Sequence, residues 1–162
     1  MNRKIILPFI FIALLIGCSS PSRTASDLYS ALDQNLSQKD QVILDSLQSH
    51  VQKFIQLNKE LNMLLEEMKK EDELEAAVET MQIANEEAMY IFNLIELDGK
   101  PSNKSLNELR IHIQASIERY MEGMNTLLQG ITNGDTNKTD EGYEQTKSIN
   151  EEFNQLLSYM EG

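Results

Sequence analysis

The chain has 162 residues, which suits one domain with a hydrophobic core, and it carries 14 basic against 26 acidic residues. This acidic balance argues against a nucleic-acid partner, because the surface would repel phosphate. The single cysteine excludes an intrachain disulfide and a zinc site built on cysteines. A composition rich in Leu, Ile, Met, Glu and Gln, with three Pro and no Trp, favours helix over strand.

The first 17 residues have the layout of a secretory signal peptide. Arg3 and Lys4 form a short basic start, and residues 5–16 are apolar apart from Pro8. An apolar run of this length matches the core of a signal peptide, roughly 7–15 residues, and falls short of the roughly 20 that a membrane-spanning helix needs. We therefore expect residues 1–17 to be a cleaved leader rather than a transmembrane anchor.

The leader ends in Leu15, Ile16 and Gly17, followed by Cys18, and this sequence resembles the lipobox of bacterial lipoproteins. A small residue such as Gly17 lets a peptidase approach the backbone, and the thiol of Cys18 is the nucleophile that accepts diacylglycerol. The resemblance implies cleavage between Gly17 and Cys18, lipidation of Cys18 and attachment to the outer face of the cell membrane. The other reading, a buried cysteine at the end of a core helix, does not fit the basic and apolar layout before it.

Removal of the leader takes away Arg3 and Lys4 and leaves a net charge of −14. We expect such a body to stand off anionic headgroups. Residues 18–25 are small and polar, which predicts a flexible tether between lipid and fold. The usage of Lys, Asn, Glu and Ile resembles that of small helical lipoproteins of Bacillus-like Gram-positive bacteria. In a Gram-negative host, Ser19 after the cysteine would fit export to the outer membrane.

Residues 26–162 are predicted to form one helical bundle domain. Ser26 or Asp27 can cap a first helix, and residues 37–40 offer a break or a second cap. The strongest pattern follows on a helix of about 30 residues, where apolar positions alternate steps of four and three. This seam comprises Ile43, Leu47, His50, Phe54, Leu57, Leu61, Leu64 and Met68.

Residues 69–73 interrupt this pattern, since continuing it would turn Glu71 and Glu75 inward. Either a tight turn or a continuous helix with a stutter fits, because neither Gly nor Pro occurs there. We favour the turn, because it lets the two apolar faces pack on each other. The second face comprises Leu74, Val78, Met81, Ala84, Ala88, Ile91 and Ile95.

Residues 98–102 form the clearest turn, because Gly99 can take a left-handed conformation and Pro101 blocks continuation of the helix. Ser105 and Glu108 then have the spacing of a capping box. The next helix carries Gly123 in its interior, which indicates close packing. Its apolar face comprises Leu106, Leu109, Ile113, Ile117, Tyr120, Met124, Leu127 and Ile131.

Residues 130–142 are polar and turn-prone, with Asn133, Gly134 and Asp135 at their centre. Thr139 or Asp140 is predicted to cap the last helix. The apolar stripe of that helix comprises Tyr143, Thr146, Ile149, Phe153, Leu156 and Met160. Three or four amphipathic helices of comparable length, joined by short loops, predict an all-α, antiparallel up-and-down bundle.

The two histidines are weak candidates for chemistry. His50 occupies an inward position among apolar residues, which is typical of a core histidine. His112 lies four residues after Glu108, so the two share a helix face and could contact a metal together. A di-iron bundle needs two Glu-x-x-His pairs, which this chain lacks. We therefore interpret Glu108 and His112 as a solvent-exposed pair.

Residues 133–144 faintly match an EF-hand calcium loop in the spacing of Asn133, Asp135, Asn137 and Glu144. Lys138 stands where that loop requires glycine, which favours an ordinary inter-helix loop. Acidic runs at 66–67 and 71–73 are interpreted as solvated helix surface. With neither a glycine-rich phosphate loop nor a recognisable triad in the sequence, we predict no catalytic residue, metal or cofactor.

The sequence thus favours a non-catalytic interaction module of the cell envelope, held to the membrane by Cys18, whose helix grooves bind another envelope protein. Eight methionines, several of them on apolar stripes, would make such a surface adaptable. The alternative is a helical bundle that binds a small ligand or a metal. The partner and the oligomeric state stay open.

Overall fold

The computed structural model describes residues 23–32, 36–71 and 73–161, with side chains given outside residues 68–71. Within these residues the chain forms five helices and no strand, which confirms the all-α prediction. The predicted leader, the cleavage site at Gly17 and Cys18, and most of the tether lie outside the described residues. The helices are α1 (Ala25–Ser30), α2 (Gln38–Glu71), α3 (Leu74–Leu97), α4 (Lys104–Asn133) and α5 (Thr136–Glu161).

The four long helices pack as the predicted up-and-down bundle. Each contacts the long helices next to it in the chain, α5 returns to α2, and the short α1 packs on α4 and α5. Phe54 lies in the buried core, where its ring meets Tyr120 edge-on at a centroid distance of 4.9 Å and Phe153 at 4.6 Å. In the described part of the chain, no helix combines the length and the apolar character needed to cross a bilayer.

The seam predicted for α2 is buried over most of its length. Ile43, Leu47, Phe54 and Leu61 are buried, whereas Leu57 is half-buried and Leu64 is 43% exposed. Met68 falls outside the described side chains. Among the described members, the seam is least buried at Leu64, the one nearest the turn.

The chain turns between α2 and α3, as we favoured. α2 ends at Glu71 and α3 begins at Leu74, and the two helices then pack side by side. On α3 the predicted face is buried from Met81 to Ile95, but Leu74 is 61% exposed because it lies at the tip of this hairpin. Tyr143, the first member of the predicted α5 stripe, is also exposed.

The first helix begins earlier than predicted. Thr24, rather than Ser26 or Asp27, caps α1: its hydroxyl accepts from the Asp27 N–H, and the Asp27 carboxylate accepts from the Thr24 N–H. Ala25 is therefore helical and buried, so the predicted tether stops before it. Ser37 confirms the second predicted cap, since its hydroxyl accepts from the backbone N–H of Asp40.

The capping box predicted for α4 is wrong. Asn103 caps the helix, and its Oδ1 accepts from the N–H of Leu106 at 3.0 Å. Asn103 has extended backbone angles directly before the helix, so its side chain reaches the free N–H groups first. Ser105 lies inside the first turn, and Glu108 pairs with Lys104 at 3.7 Å.

The turn predicted at residues 133–135 is confirmed, but the polar linker predicted around it is too long and the cap predicted at Thr139 or Asp140 is wrong. Gly134, at φ +66°, ends α4 in the left-handed conformation. The next residue, Asp135, accepts hydrogen bonds through its side chain from N–H groups in the first turn of α5. Because one helix stop is followed directly by one helix start, only two residues separate α4 from α5. Thr139 and Asp140 consequently lie inside α5.

Buried glycines bring α4 and α5 into close contact. A Cβ atom at Gly142 would lie 2.3 Å from the backbone nitrogen of Leu127, and one at Gly130 would lie 2.4 Å from that of Thr139. Gly123 confirms the predicted close packing, since a Cβ there would lie 3.1 Å from side-chain atoms of Gln145. The α4–α5 hairpin is thus held at backbone contact by residues that lack a side chain.

Candidate functional site

A cluster of Ser46, His50 and Asp98 ties α2 to the end of α3. Asp98 Oδ2 accepts from the Ser46 hydroxyl at 2.6 Å and lies 2.9 Å from His50 Nε2. Ser46 Oγ lies 3.2 Å from the same nitrogen. His50 is buried, as its inward position predicts. The sequence analysis placed Asp98 only in a turn, because the contact spans 48 residues along the chain.

These three residue types also make catalytic triads, but their arrangement here is different. In a triad the carboxylate and the hydroxyl contact opposite nitrogens of the imidazole. In this cluster both contact His50 Nε2, and the Ser46 hydroxyl donates to the carboxylate of Asp98. The other nitrogen, His50 Nδ1, is buried without a hydrogen-bond partner among the described residues. The geometry fixes two helices against each other and does not activate a nucleophile.

A second histidine cluster joins α4 to α5. Glu152 Oε1 lies 2.5 Å from His112 Nε2, and Glu152 Oε2 accepts from Arg119 at 3.2 Å. Burial raises the pKa of Glu152, but the hydrogen bond and charge of His112, with the charge of Arg119, outweigh it and hold the pKa below its ordinary value. The expected pairing of His112 with Glu108 is wrong, because α5 brings Glu152 onto that face.

Carboxylates also connect α3 to α4 and α2 to the loop before α4. Glu96 of α3 accepts from Gln114 at 2.9 Å and from Arg110 at 3.2 Å, and these two donors lower the pKa of Glu96. Asp40 of α2 accepts from the N–H of Ser102 at 2.8 Å. Burial raises the pKa of Asp40, but its hydrogen bonds with Ser102 and Ser37 outweigh that and lower it overall. Each of these acidic groups serves to connect elements of the bundle.

The residues that match a calcium loop do not form one. Asn133 ends α4, Asp135 caps α5, and Asn137 and Glu144 belong to α5. A calcium loop wraps its ligands around the ion, and a helical backbone cannot do so. Over the ranges that the structure describes, no group of three or more His, Cys, Asp or Glu is placed to hold a metal ion.

An open groove of about 750 Å³ runs between α2 and α3. Both helices contribute apolar side chains to its lining, since their buried faces meet beneath it. This apolar lining comprises Leu57, Leu61, Leu64, Ile83, Ala84, Tyr90, Ile91 and Leu94. A volume of this size and a lining of this kind are typical of surfaces that bind an apolar ligand or side chains of a partner.

Two of the lining residues are large, apolar and mostly in solvent. Ile83 is 54% exposed and Tyr90 is 59% exposed. Sequence reasoning missed them, because it followed the inward face of α3, from Met81 to Ile95. A signal was present: Ile83, Tyr90 and Leu97 recur every seven residues, which is the spacing of a second apolar stripe on the same helix.

Two further hollows are smaller. One of about 620 Å³ between α2 and α5 is lined by Ile55, Met63 and six amide or charged residues, among them Lys59, Glu66 and Asn150. A small one of about 100 Å³ lies beside Tyr120, whose buried hydroxyl has no hydrogen-bond partner among the described residues. Burial raises the pKa of Tyr120. The α2–α3 groove therefore combines size with an apolar surface.

Comparison of the chain with protein families, with curated proteins and with solved structures finds no match.

Proposed function

We propose that the protein is a lipid-anchored, non-catalytic interaction module of the bacterial cell envelope. The observation that carries the proposal is the α2–α3 groove, with Ile83 and Tyr90 exposed at its edge. Contiguous exposed apolar surface bordered by polar residues is typical of protein interaction sites. The lipobox-like sequence ending in Cys18 supports attachment to the membrane.

The polar clusters agree with a module of this kind. Their carboxylates and imidazoles are engaged in contacts between helices, as at His50 with Asp98 and at His112 with Glu152. Such contacts stiffen a scaffold that presents a groove. The net charge of −14 expected after cleavage keeps the body away from anionic headgroups and leaves the groove open to a partner.

Site-specific photo-crosslinking in cells tests the proposal. A photoreactive phenylalanine analogue replaces Tyr90 in the groove or, as the control, Tyr159 on α5, which is exposed to a similar extent at 55%. We expect a discrete crosslinked product in the membrane fraction from position 90 and none from position 159. Equal products from both positions, or none from either, would contradict an interaction module that acts through this groove.

A second function, the binding of a small apolar ligand, is favoured by the groove volume of about 750 Å³, which lies within the ~300–1,000 Å³ usual for ligand pockets. Native mass spectrometry of the purified full chain tests it. A co-purifying small molecule that is lost in Tyr90→Ser and kept in Tyr159→Ser supports this function. Its absence from all three proteins contradicts it.

A further inference from the structure

The charged residues of α3 are all acidic. Its 24 residues contain five glutamates and neither Lys nor Arg. Glu96 is engaged with Arg110 and Gln114 of α4. The other four, Glu75, Glu79, Glu86 and Glu87, are exposed. A partner that lies along α3 therefore meets negative charge that α3 itself does not compensate.

These acidic residues stand beside the exposed apolar stripe. Glu79 lies four residues before Ile83, and Glu86 lies four before Tyr90, so each shares a helix face with its apolar neighbour. Glu87 itself lines the groove. Glu79 and Glu86 lie on the exposed surface of α3 outside this lining.

The α2 edge adds a carboxylate opposite this one. Glu60 lines the groove, as does one cation, Lys53. The contact between His50 and Asp98 fixes the antiparallel register of α2 and α3. Glu60 lies ten residues after His50, and Glu87 lies eleven before Asp98, so the two carboxylates stand at nearly the same height across an apolar floor. With two carboxylates against one cation, the lining carries a net charge of −1, which attracts a cationic partner.

We propose that the occupant of this groove is a cationic amphipathic helix of a partner protein. The inference rests on the proposed function and names its partner class. The groove extends from Thr80 to Leu94 along α3, a span of about 21 Å that suits a helix of about 14 residues. The apolar face of the partner helix would cover Leu57, Leu61 and Ile91, and Lys or Arg residues flanking that face would contact Glu60 and Glu87. A second copy of this chain is disfavoured, because it would set two acidic α3 helices against each other.

The test measures binding of fluorescent peptides to the full lipidated chain in phosphatidylcholine nanodiscs, with empty nanodiscs subtracted. One peptide of about 14 residues is an amphipathic Leu/Lys helix; the second has Glu in place of Lys; the third has the Leu/Lys composition in scrambled order. We expect the first to bind about tenfold more tightly than either control peptide and to weaken with added salt. Equal or tighter binding of the Leu/Glu peptide would overturn the proposal.

Matched variants locate the binding. Tyr90→Ser and Ile83→Ser change exposed side chains, so we expect the fold to tolerate them. Each should weaken binding about fivefold. The controls are Tyr159→Ser and Ile111→Ser, at similarly exposed positions on other helices, and they should leave binding within about twofold. A control variant that weakens binding as much as its groove counterpart overturns the assignment of the groove.

Charge variants separate the partner class from the proposed function. The double variant Glu60→Gln, Glu87→Gln should weaken the Leu/Lys peptide about tenfold, whereas Glu118→Gln, Glu122→Gln on α4 should not. If position 90 crosslinks in cells but the Leu/Lys peptide neither binds nor competes, the partner class is wrong while the module stands. A crosslinked product with twice the mass of this chain identifies a second copy and overturns the inference. Absence of a specific crosslinked product from position 90 would contradict the proposed function itself.

Discussion

Replacing Gly142 by alanine should destabilise the bundle, although alanine is the better helix former. Helix propensity alone would stabilise the variant by about 1 kcal/mol. The new Cβ, however, would lie 2.3 Å from Leu127 N, 2.6 Å from Gly123 O and 2.7 Å from Leu127 Cα. These atoms belong to the backbone, so the helices must separate by about 1 Å to restore ordinary contact near 3.5 Å. We expect a net loss of about 2–3 kcal/mol in the free energy of unfolding.

Urea unfolding followed by circular dichroism measures this loss, and thermal melting should show a Tm lower by about 6–9 °C. Gly123→Ala is the matched control on the facing helix. Its Cβ would lie 3.1 Å from side-chain atoms of Gln145 and Thr146, which can shift by a few tenths of an ångström. It should change stability by less than about 1 kcal/mol. A Gly142→Ala protein as stable as the wild type would show that α4 and α5 do not approach so closely.

Three further perturbations test the core, one cluster and the anchor. Phe54→Ala should cost about 3–5 kcal/mol in urea unfolding, since its ring is fully buried between Tyr120 and Phe153; a loss below about 1 kcal/mol would place it outside the core. Because the pKa of Glu152 is lowered by folding, its ionised carboxylate stabilises the fold at a pH above the ordinary carboxyl pKa. This stabilisation is lost as the pH falls through the pKa of Glu152 in the folded state. Glu152→Gln should therefore lose less stability than the wild type between about pH 6 and about pH 3, and identical losses would refute that role. Cys18→Ser should abolish palmitate labelling and membrane retention in fractionated cells, and retained labelling would disprove lipidation at Cys18.

The long-range plan of the bundle follows from local patterns. Steps of three and four place Leu47, Phe54 and Leu61 on one face of α2 whatever their partners are, and burial of that face confirms the prediction. The turn between α2 and α3 was predictable for the same reason, because a change of phase at residues 69–73 turns the apolar face away unless the chain reverses.

Apart from the close packing at Gly123, the specific contacts between helices were not predictable from spacing along the chain. Residues 130–142 look like a polar linker because Gly130, Gly142 and the residues between them carry few apolar side chains. At a close helix contact, however, glycine is selected for its lack of volume. Asp98 and Glu152 were missed for a related reason, since each pairs with a histidine more than 35 residues away in sequence. Tyr90 lies at the solvent-facing edge of the groove, so the pattern of buried positions on α3 does not include it.

The polar contacts of α2 and α3 set a direction for local opening. Those at Asp40, Ser46 and His50 fix one end of the pair to residues 98–102, whereas Leu64 and Leu74 near the turn are 43% and 61% exposed. We expect backbone amides near the turn to exchange hydrogen through small openings, and those around Phe54 only through global unfolding. We therefore expect the α2–α3 pair to open first near Leu64 and Leu74 and to stay closed at the contact between His50 and Asp98.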